Sequence, residues 1–338
     1  MLSLKKGRAV AVINGGKYNG ESIRIFDPDT DRCCDDCSDK CGKKGVFCCD
    51  KCVGIGGCLK CDEAKIEYDD PFDIIDEDYI MKNKRGKFSR KQMTKLVRSL
   101  KDGTPLNDDE YLEDIRGSAL KEIDRRCRKD FEVPDNGTVT QLPNFEKSER
   151  LYVCGPSDSG KTYFVSKYIQ QWRKIFKKGK IFVISDVDHD EQIDKYKVKR
   201  IMIGDNLLEE PLEAKDFPEG SLVIFDDTDS ITNKKLLTAV QALRDHLLRR
   251  GRHENLYVIV TNHLMTDYKQ TRVILNECNS FTIFPKSGAT TGIHYLLKHY
   301  AGMAPDQISK VMGLNSRWVT VYKGYPVHVI YNKGVYLV

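Results

Sequence analysis

The sequence predicts an α/β fold with a buried parallel sheet for residues 141–338, and two stretches carry this prediction. In the first, the apolar run Leu151–Cys154 enters a glycine-containing turn that leads into an amphipathic helical pattern. In the second, the apolar run Ser221–Phe225 ends in Asp226 and Asp227. Short apolar runs that are bounded by polar turns and alternate with helices are typical of parallel strands covered on both faces.

The first stretch has the P-loop spacing G-x-x-x-x-G-K-[ST]. Glycines let the backbone curl close to a phosphate group, so that successive N–H groups form a nest for an anion. Lys161 is expected to reach the β and γ phosphates of ATP, and the Thr162 hydroxyl to bind Mg²⁺ at the start of a helix. The strand before the loop and the helix after it favour this interpretation over a chance match. The predicted nucleotide-binding residues of the loop are Gly155, Pro156, Ser157, Asp158, Ser159, Gly160, Lys161 and Thr162.

The second stretch has the Walker B pattern, in which an apolar strand delivers carboxylates at its end. Ligands of open α/β sheets bind at the carboxyl ends of the strands, so these acids are expected to meet the P-loop. Asp226 is predicted to bind Mg²⁺ and Asp227 to orient or deprotonate an attacking water molecule. The alternative for Asp227 is a cap of the following turn.

A residue that reads the γ-phosphate is expected at the end of the strand beside Walker B. Asn262 is the candidate, and His263 is expected to form a local hydrogen bond. Further apolar or periodic runs predict three more strands and one helix, at Lys180–Ser185, Val198–Ile203, Leu256–Val260 and Leu236–Arg250.

Several arginines cluster where the helix Leu236–Arg250 ends. Such a cluster is usually a solvated face. In an oligomeric ATPase, an arginine can instead reach the γ-phosphate of a neighbouring subunit and stabilise the charge of the transition state. Arg252 is the first candidate for this role and Arg272 the second.

The amino-terminal region contains two predicted strands and a cysteine cluster. The strands, Gly7–Ile13 and Glu21–Phe26, flank the turn sequence Asn14-Gly15-Gly16, and a structural hairpin is favoured over a nucleic-acid-binding one. Nine of the twelve cysteines lie between Cys33 and Cys61 and include three C-x-x-C pairs. They are therefore expected to form one local structural unit and not a disulfide framework for the whole chain.

Two chemistries fit this cysteine cluster. Tetrahedral zinc binds four thiolates, and the C-x-x-C spacing lets one turn supply two of them. Disulfide bonding is the alternative, which the doubled cysteines favour and a reducing compartment disfavours. In either case a segment this short needs cross-links to fold. The candidate zinc ligands are Cys34, Cys37, Cys41, Cys49, Cys52, Cys58 and Cys61.

The next segment alternates in charge. Nine acidic residues lie within Asp62–Asp78, and the basic stretch Lys82–Lys101 follows. Opposite charge blocks usually form a solvated linker, although the basic block could contact nucleic acid. Asp108–Asp130 is predicted to be a helix, and a break before Gln141 marks a domain boundary. The expected domains are residues 1–61, a hairpin with the zinc module; 62–140, a charged and partly helical linker; and 141–338, the P-loop ATPase domain.

The composition limits the classes of protein that need to be considered. The chain has 338 residues with 55 basic and 50 acidic side chains, so its net charge of +5 does not by itself indicate nucleic-acid binding. It contains no run of eighteen apolar residues and no signal-peptide pattern at its start. We therefore expect a soluble protein that does not insert into membranes and is made in a reducing compartment.

The order of the motifs resembles that of a family of viral motors. The quoted series runs through Gly155–Thr162, Ile224–Asp227, Gly251–Asn255, Arg272 and Asn276, and the tail adds Ser316–Val319, Tyr325-Pro326 and a terminal hairpin at Tyr331–Tyr336. This series resembles the poxvirus-type DNA-packaging ATPases of nucleocytoplasmic large DNA viruses, which belong to the FtsK–HerA superfamily of P-loop motors. The resemblance covers residues 149–338. One position departs from the pattern, because related motors often carry glutamine where this chain has Asn262.

The resemblance implies a RecA-like (ASCE) core, ATP hydrolysis with Mg²⁺, and assembly into a homo-oligomeric ring. It also implies sequence-independent translocation of double-stranded DNA into a capsid, with capsid or portal components as partners. The expected location is the virion and the viral factory in the host cytoplasm. Two other functions remain open: a structural virion protein with little turnover, and a P-loop nucleoside kinase, since viral thymidine kinases also combine a P-loop with a zinc module.

Overall fold

The computed structural model describes residues 2–4, 7–25, 89–102, 105–126, 130–134, 136–145, 147–267 and 269–338. The chain divides into two compact units, one formed by Met1–Ala9 with Ser22–Phe131 and the other by Val10–Glu21 with Glu132–Val338. The predicted cysteine module and the acidic stretch lie outside the described residues. The division into three domains therefore stays a prediction.

The described strands in chain order are β1 (Leu2–Ser3), β2 (Arg8–Asn14), β3 (Ser22–Ile25), β4 (Asp130–Glu132), β5 (Thr138–Gln141), β6 (Arg150–Cys154), β7 (Ile181–Ser185), β8 (Lys199–Met202), β9 (Leu222–Phe225), β10 (Tyr257–Asn262), β11 (Ser280–Ile283), β12 (Val319–Tyr322), β13 (His328–Tyr331) and β14 (Gly334–Leu337). The described α-helices are α1 (Arg90–Asp102), α2 (Glu110–Arg126), α3 (Lys161–Ile175), α4 (Glu191–Asp194), α5 (Asn206–Glu209), α6 (Lys234–Arg250), α7 (Arg272–Glu277), α8 (Thr290–Tyr300) and α9 (Pro305–Gly313).

In the first unit, β1 pairs antiparallel with β3. Helix α1 begins at a capping box, in which Ser89 Oγ accepts the N–H of Gln92 and Gln92 Oε1 accepts the N–H of Ser89. It occupies the second half of the basic stretch that was interpreted as linker. The helix predicted over Asp108–Asp130 is observed as α2, which begins where the Asp109 carboxylate accepts the N–H of Leu112.

The second unit is built on one large sheet with the strand order β14-β13-β12-β11-β6-β10-β9-β7-β8. The strands from β11 to β8 are parallel, whereas those from β11 to β14 pair antiparallel. This confirms the predicted α/β fold with a mostly parallel sheet. Strand β10 lies between β6, which leads into the P-loop, and β9, which leads into the paired acids.

Helices cover both faces of the parallel strands. Because side chains alternate along a strand, Leu151 and Val153 of β6 point to the α3 face, whereas Tyr152 and Cys154 point to the other face. The buried residues of α3, including Trp172, pack on the first face. Helices α5 to α9 contribute buried residues to the cluster on the second face. The two apolar layers therefore decide which side chains of each strand face α3 and which face the opposite layer.

Two predictions about the ends of the chain can be compared with the structure. The terminal hairpin is observed, since β13 and β14 pair antiparallel with Tyr331 opposite Gly334. Strand β2 matches the first predicted amino-terminal strand, and within the second unit it pairs with β5, which ends at the predicted boundary residue Gln141. Within the described part of the chain, no helix is both long and apolar enough to span a membrane.

Candidate active site

The backbone of the loop between β6 and α3 is in conformations and close contacts that few residue types tolerate. Asp158 and Gly160 have φ angles of +62° and +107°, in the left-handed region. A Cβ atom on Gly155 would lie 2.8 Å from both the Phe284 ring and Ser159 Oγ, so this position requires glycine. The Gly155 N–H donates to the backbone carbonyl of Asn262 at 3.2 Å, which ties the start of the loop to the end of β10.

Lys161, the first residue of α3, joins the loop to the acids that follow β9. Its side chain is buried, and Nζ donates to the Gly155 carbonyl at 3.0 Å and to that of Pro156 at 3.4 Å. Nζ also lies 3.7 Å from Asp227 Oδ1. The P-loop and the paired acids therefore meet at the carboxyl edge of the sheet, as the strand arrangement predicted.

The paired acids share one hydroxyl group. Thr261 Oγ1 lies 2.9 Å from Asp226 Oδ1 and 3.1 Å from Asp227 Oδ1, and it accepts the N–H of Asp227 at 2.8 Å. A hydroxyl has one hydrogen, so it can donate to only one carboxylate at a time. Burial and the negative charge of Asp227 raise the pKa of Asp226 to about 6, against the hydrogen bond from Thr261, which lowers it.

A third acid and a histidine lie beside the pair. Asp229 Oδ2 accepts the N–H groups of His263 and Leu264 at 2.8 and 3.0 Å, and His263 Nε2 is 3.6 Å from Asp227 Oδ2. His263 thus forms hydrogen bonds, but with Asp229, which is 34 residues away in the sequence, and not with a local partner. Potential ligand atoms of Asp227, Asp229 and His263 lie within 4.8 Å of one another, so these residues could hold a metal ion. This group differs from the predicted magnesium ligands, Thr162 and Asp226.

Asn262 and Thr261 face opposite sides of the sheet. The Asn262 side chain is completely buried, on the side of Tyr152 and beside its hydroxyl. Its role as a γ-phosphate sensor stays a prediction. Thr261 points to the α3 face, where it touches both acids. Sequence reasoning missed Thr261, although its spacing from Ile259 on the alternating strand could have identified it.

The two candidate trans-acting arginines lie outside this cluster. Arg252 is exposed in a 3₁₀ turn, Gly251–Glu254, that leads into the amino end of β10. Because β10 runs parallel to β6, this position is at the edge of the sheet opposite the P-loop. Arg272 begins α7, and its charge opposes the rise in the pKa of Tyr300 that burial produces. The geometry therefore gives Arg252 no route to the P-loop of its own chain.

A cavity of about 330 Å³ flanks the P-loop on the side of α3. It extends from Gly160 past Tyr163 and Lys167, and its far wall includes Arg317 and Trp318. Arg317 donates hydrogen bonds to two carbonyls of the P-loop. The sequence singled out Arg317 only as part of the tail pattern, and its contact with the loop was not predicted.

Comparison with known proteins finds one clear relative. Uncharacterized protein V3 of Sputnik virophage is 39% identical to this chain over 217 residues, which are 64% of this chain and 87% of V3. The chain belongs to the same family as V3. No family model matches the sequence. The chain therefore belongs to a family that has a member in a virophage.

Solved structures with some similarity to this chain include a viral NTPase and a conjugation coupling protein. The genome packaging NTPase B204 from Sulfolobus turreted icosahedral virus 2, in complex with sulfate, has a TM-score of 0.40 and 15% identity, covering 55% of this chain and 96% of B204. The pCW3 conjugation coupling protein TcpA, with ATPγS, has a TM-score of 0.39 and 12% identity, covering 57% of this chain and 62% of TcpA.

Proposed function

We propose that the protein is an ATP-driven motor that translocates viral double-stranded DNA into a capsid. The observation that carries the proposal is the 3.7 Å separation of Lys161 Nζ from Asp227 Oδ1. It brings a lysine suited to phosphate and an acid suited to water activation to one site, with β10 between their strands. The viral family and the resemblance of the motif series to packaging ATPases support the role in genome packaging.

The P-loop is proposed to bind the phosphates of ATP. Its backbone N–H groups and the start of α3 favour negative charge, and Lys161 would exchange its carbonyl partners for phosphate oxygens. The adjacent cavity suits the base and ribose, since Tyr163 and Trp318 offer aromatic surface there. Lys161 lies between the phosphates and the acids and is therefore expected to affect both binding and hydrolysis.

The paired acids fit a divalent cation. Asp226 is partly buried beside a second carboxylate, and burial together with that negative charge raises its pKa. Thr162 and Asp226 are the residues proposed to hold Mg²⁺, which would neutralise phosphate charge when bound. Carboxylate and hydroxyl oxygens are ligands that this hard cation prefers.

Asp227 is proposed to orient the attacking water molecule and accept its proton. Thr261 holds the peptide of Asp227 through the 2.8 Å hydrogen bond to its N–H, in a left-handed backbone conformation with φ of +44°. The Asp227 side chain makes no cap hydrogen bond to the 3₁₀ turn that follows it. The contact with Lys161 favours the catalytic interpretation over the alternative of a turn cap.

The remaining parts of the proposal concern assembly. A ring would bring Arg252 or Arg272 to the γ-phosphate of a neighbouring subunit. DNA would be held through its phosphates, without sequence preference, and capsid or portal components would receive it. The cysteine cluster is proposed to bind zinc, with docking as its role. Metal analysis of reduced protein should find zinc, and metal-free protein with paired, oxidised thiols would contradict this part.

The experiment that tests the proposal is the steady-state ATPase rate with and without long double-stranded DNA. We expect DNA to stimulate hydrolysis and Asp227→Asn to abolish the stimulated rate while ATP binding remains. Asp186→Asn is the matched control, because Asp186 is exposed at the end of the neighbouring strand β7. A negligible rate with or without DNA would favour the structural protein, and transfer of phosphate to a nucleoside would favour the kinase.

A further inference from the structure

Arg317, far from the P-loop in sequence, contacts it directly. Arg317 Nε donates to the Ser159 carbonyl and Nη2 to the Asp158 carbonyl, both at 2.9 Å. The guanidinium group packs so closely that a Cβ atom on Gly160 would lie 3.1 Å from Nε. Two parallel N–H donors on one rigid plane match two successive carbonyls in a way that a lysine ammonium group cannot.

These two bonds fix the direction of the N–H groups of the loop. A trans peptide is planar, and its carbonyl and N–H point in opposite directions. The Asp158 and Ser159 carbonyls share their peptides with the N–H groups of Ser159 and Gly160. Holding both carbonyls on the outer side therefore turns both N–H groups inward, where the Ser159 N–H donates to the Pro156 carbonyl at 3.3 Å and the Gly160 N–H is left for the proposed phosphate side.

The loop needs such support because its backbone is in an uncommon conformation. Asp158 has a φ of +62°, which costs a residue with a side chain about 1 kcal/mol. Conformations of this kind persist where the surroundings hold them. The two charge-assisted bonds from Arg317 oppose relaxation of the Asp158 and Ser159 peptides.

Arg317 is itself held in place. The ring of the next residue, Trp318, packs 5.1 Å from the ring of Phe164 in α3. Ser316, the preceding residue, accepts the N–H of Asn332 at 3.1 Å and donates to the carbonyl of Trp318. Helix α3 therefore anchors Trp318, and the turn between β13 and β14 anchors Ser316, so that the backbone of Arg317 is held from both sides.

We infer that Arg317 is a positioning residue that aligns the P-loop N–H groups for nucleotide phosphates. This inference rests on the proposed function, since it assigns the support of the same nucleotide site. Arg317 acts through the loop carbonyls, so its effect should appear in phosphate affinity. Residue 317 belongs to the antiparallel end of the sheet, and the inference gives this part of the chain a role at the site.

Calorimetric titration of the full chain with ATPγS and Mg²⁺ tests the inference. We expect Arg317→Ala to weaken binding about 10-fold or more, because hydrogen bonds from a charged group to the loop are lost. Arg317→Lys should be intermediate, since one amine can reach one carbonyl. Millimolar guanidinium should restore affinity to Arg317→Ala and leave the wild type unchanged. Lys298→Ala, which removes an exposed cation of α8, should bind as the wild type does.

The outcomes separate this inference from the proposed function. If the wild type does not bind ATPγS, or if Lys161→Ala binds equally well, the nucleotide site itself is wrong. If Lys161→Ala loses binding but Arg317→Ala and Arg317→Lys match the wild type, only the inference about Arg317 is overturned. Weak binding by Arg317→Ala that guanidinium does not restore, together with a lowered melting temperature, would also overturn it in favour of a general structural role.

Discussion

The two edges of the parallel sheet differ in how their polar groups are satisfied. At the amino edge, Glu149 is buried, yet its carboxylate accepts hydrogen bonds from Ser280 Oγ and the Tyr168 hydroxyl at 2.7 Å each. Arg150 beside it donates to Asn279 Oδ1 and to the Leu248 carbonyl. Hydrogen bonds that satisfy a buried carboxylate in this way rigidify a structure.

At the carboxyl edge, polar groups crowd together with too few partners. In the part of the chain that is described, Asp226 and Asp227 share the single hydroxyl of Thr261. Ser159 Oγ in the P-loop is also buried without a partner there. The difference teaches that the amino edge stabilises the fold, whereas the carboxyl edge is arranged for a charged ligand.

Removing the lysine at the carboxyl edge should have the largest effect on activity. Lys161→Ala is expected to lower ATP hydrolysis about 1000-fold, because the charge at the phosphates is lost. The melting temperature should change little, since Lys161 forms no apolar contact of the core. Steady-state kinetics and circular dichroism measure the two effects. Lys174→Ala, in the last turn of the same helix, is the control, and unchanged turnover in Lys161→Ala would disprove the site.

Removing the carboxylate at the amino edge should instead affect stability. Glu149→Ala leaves the hydroxyls of Tyr168 and Ser280 buried and unsatisfied, so we expect a loss of about 3 kcal/mol in the free energy of unfolding. Urea denaturation measures this loss, and ATPγS affinity of the folded variant should be unchanged. Exposed Glu254 offers a control at the same edge. If Glu149→Ala binds ATPγS more weakly but is as stable as the wild type, the proposed difference between the two edges is wrong.

The exposed arginine at the amino edge should act only between subunits. Arg252→Ala is expected to lower turnover about 100-fold in an assembled ring, while ATPγS affinity stays unchanged. A mixture of Arg252→Ala and Lys161→Ala should recover activity, because one subunit supplies the arginine and its neighbour supplies the lysine. Arg249→Ala is the control at the same helix end. If Lys161→Ala recovers activity when it is mixed with Arg272→Ala but not with Arg252→Ala, Arg272 is the trans-acting arginine.

The smallest expected effect is a pH dependence at the carboxyl edge. The pKa of Asp226 is raised from 3.8 to about 6 in the folded protein, so the folded state binds more protons than the unfolded state between these values. The wild type should therefore lose stability relative to Asp226→Asn as pH rises from 4 to 6, by about 2 kcal/mol. Thermal melting without metal or nucleotide measures the difference. Thr261→Val should move the loss of stability to higher pH, because the hydrogen bond that lowers the pKa of Asp226 is removed. If the stability of the wild type and of Asp226→Asn changes with pH in the same way, the raised pKa of Asp226 is wrong.

Much of the nucleotide-binding half could be predicted from local patterns. The runs at Leu151–Cys154 and Ser221–Phe225 became β6 and β9, and the helical spacing after Thr162 became α3. Apolar runs of this length have few ways to bury themselves, so strand type and approximate bounds follow. The meeting of Lys161 with Asp227 also followed, because parallel strands place their carboxyl ends at one edge.

Pairings between distant segments could not be predicted. The contact of Arg317 with Asp158 and Ser159 spans more than 150 residues of chain, and no local pattern encodes which loop a distant arginine will reach. The pairing of β2 with β5 was missed for the same reason. Alternation along β10 separates Thr261 from Asn262, but which of the two faces meets the acids depends on where α3 packs.

The sequence by itself determined the P-loop, the paired acids and the strands and helix that carry them, because spacing and periodicity act over a few residues. Only the tertiary structure decided which hydroxyl the acids share, which edge carries Arg252, and which side chain holds the P-loop carbonyls. These depend on strand order and on the packing of helices against both faces of the sheet. Such contacts join residues far apart in the chain, and their energies exist only once the backbone has brought those residues together.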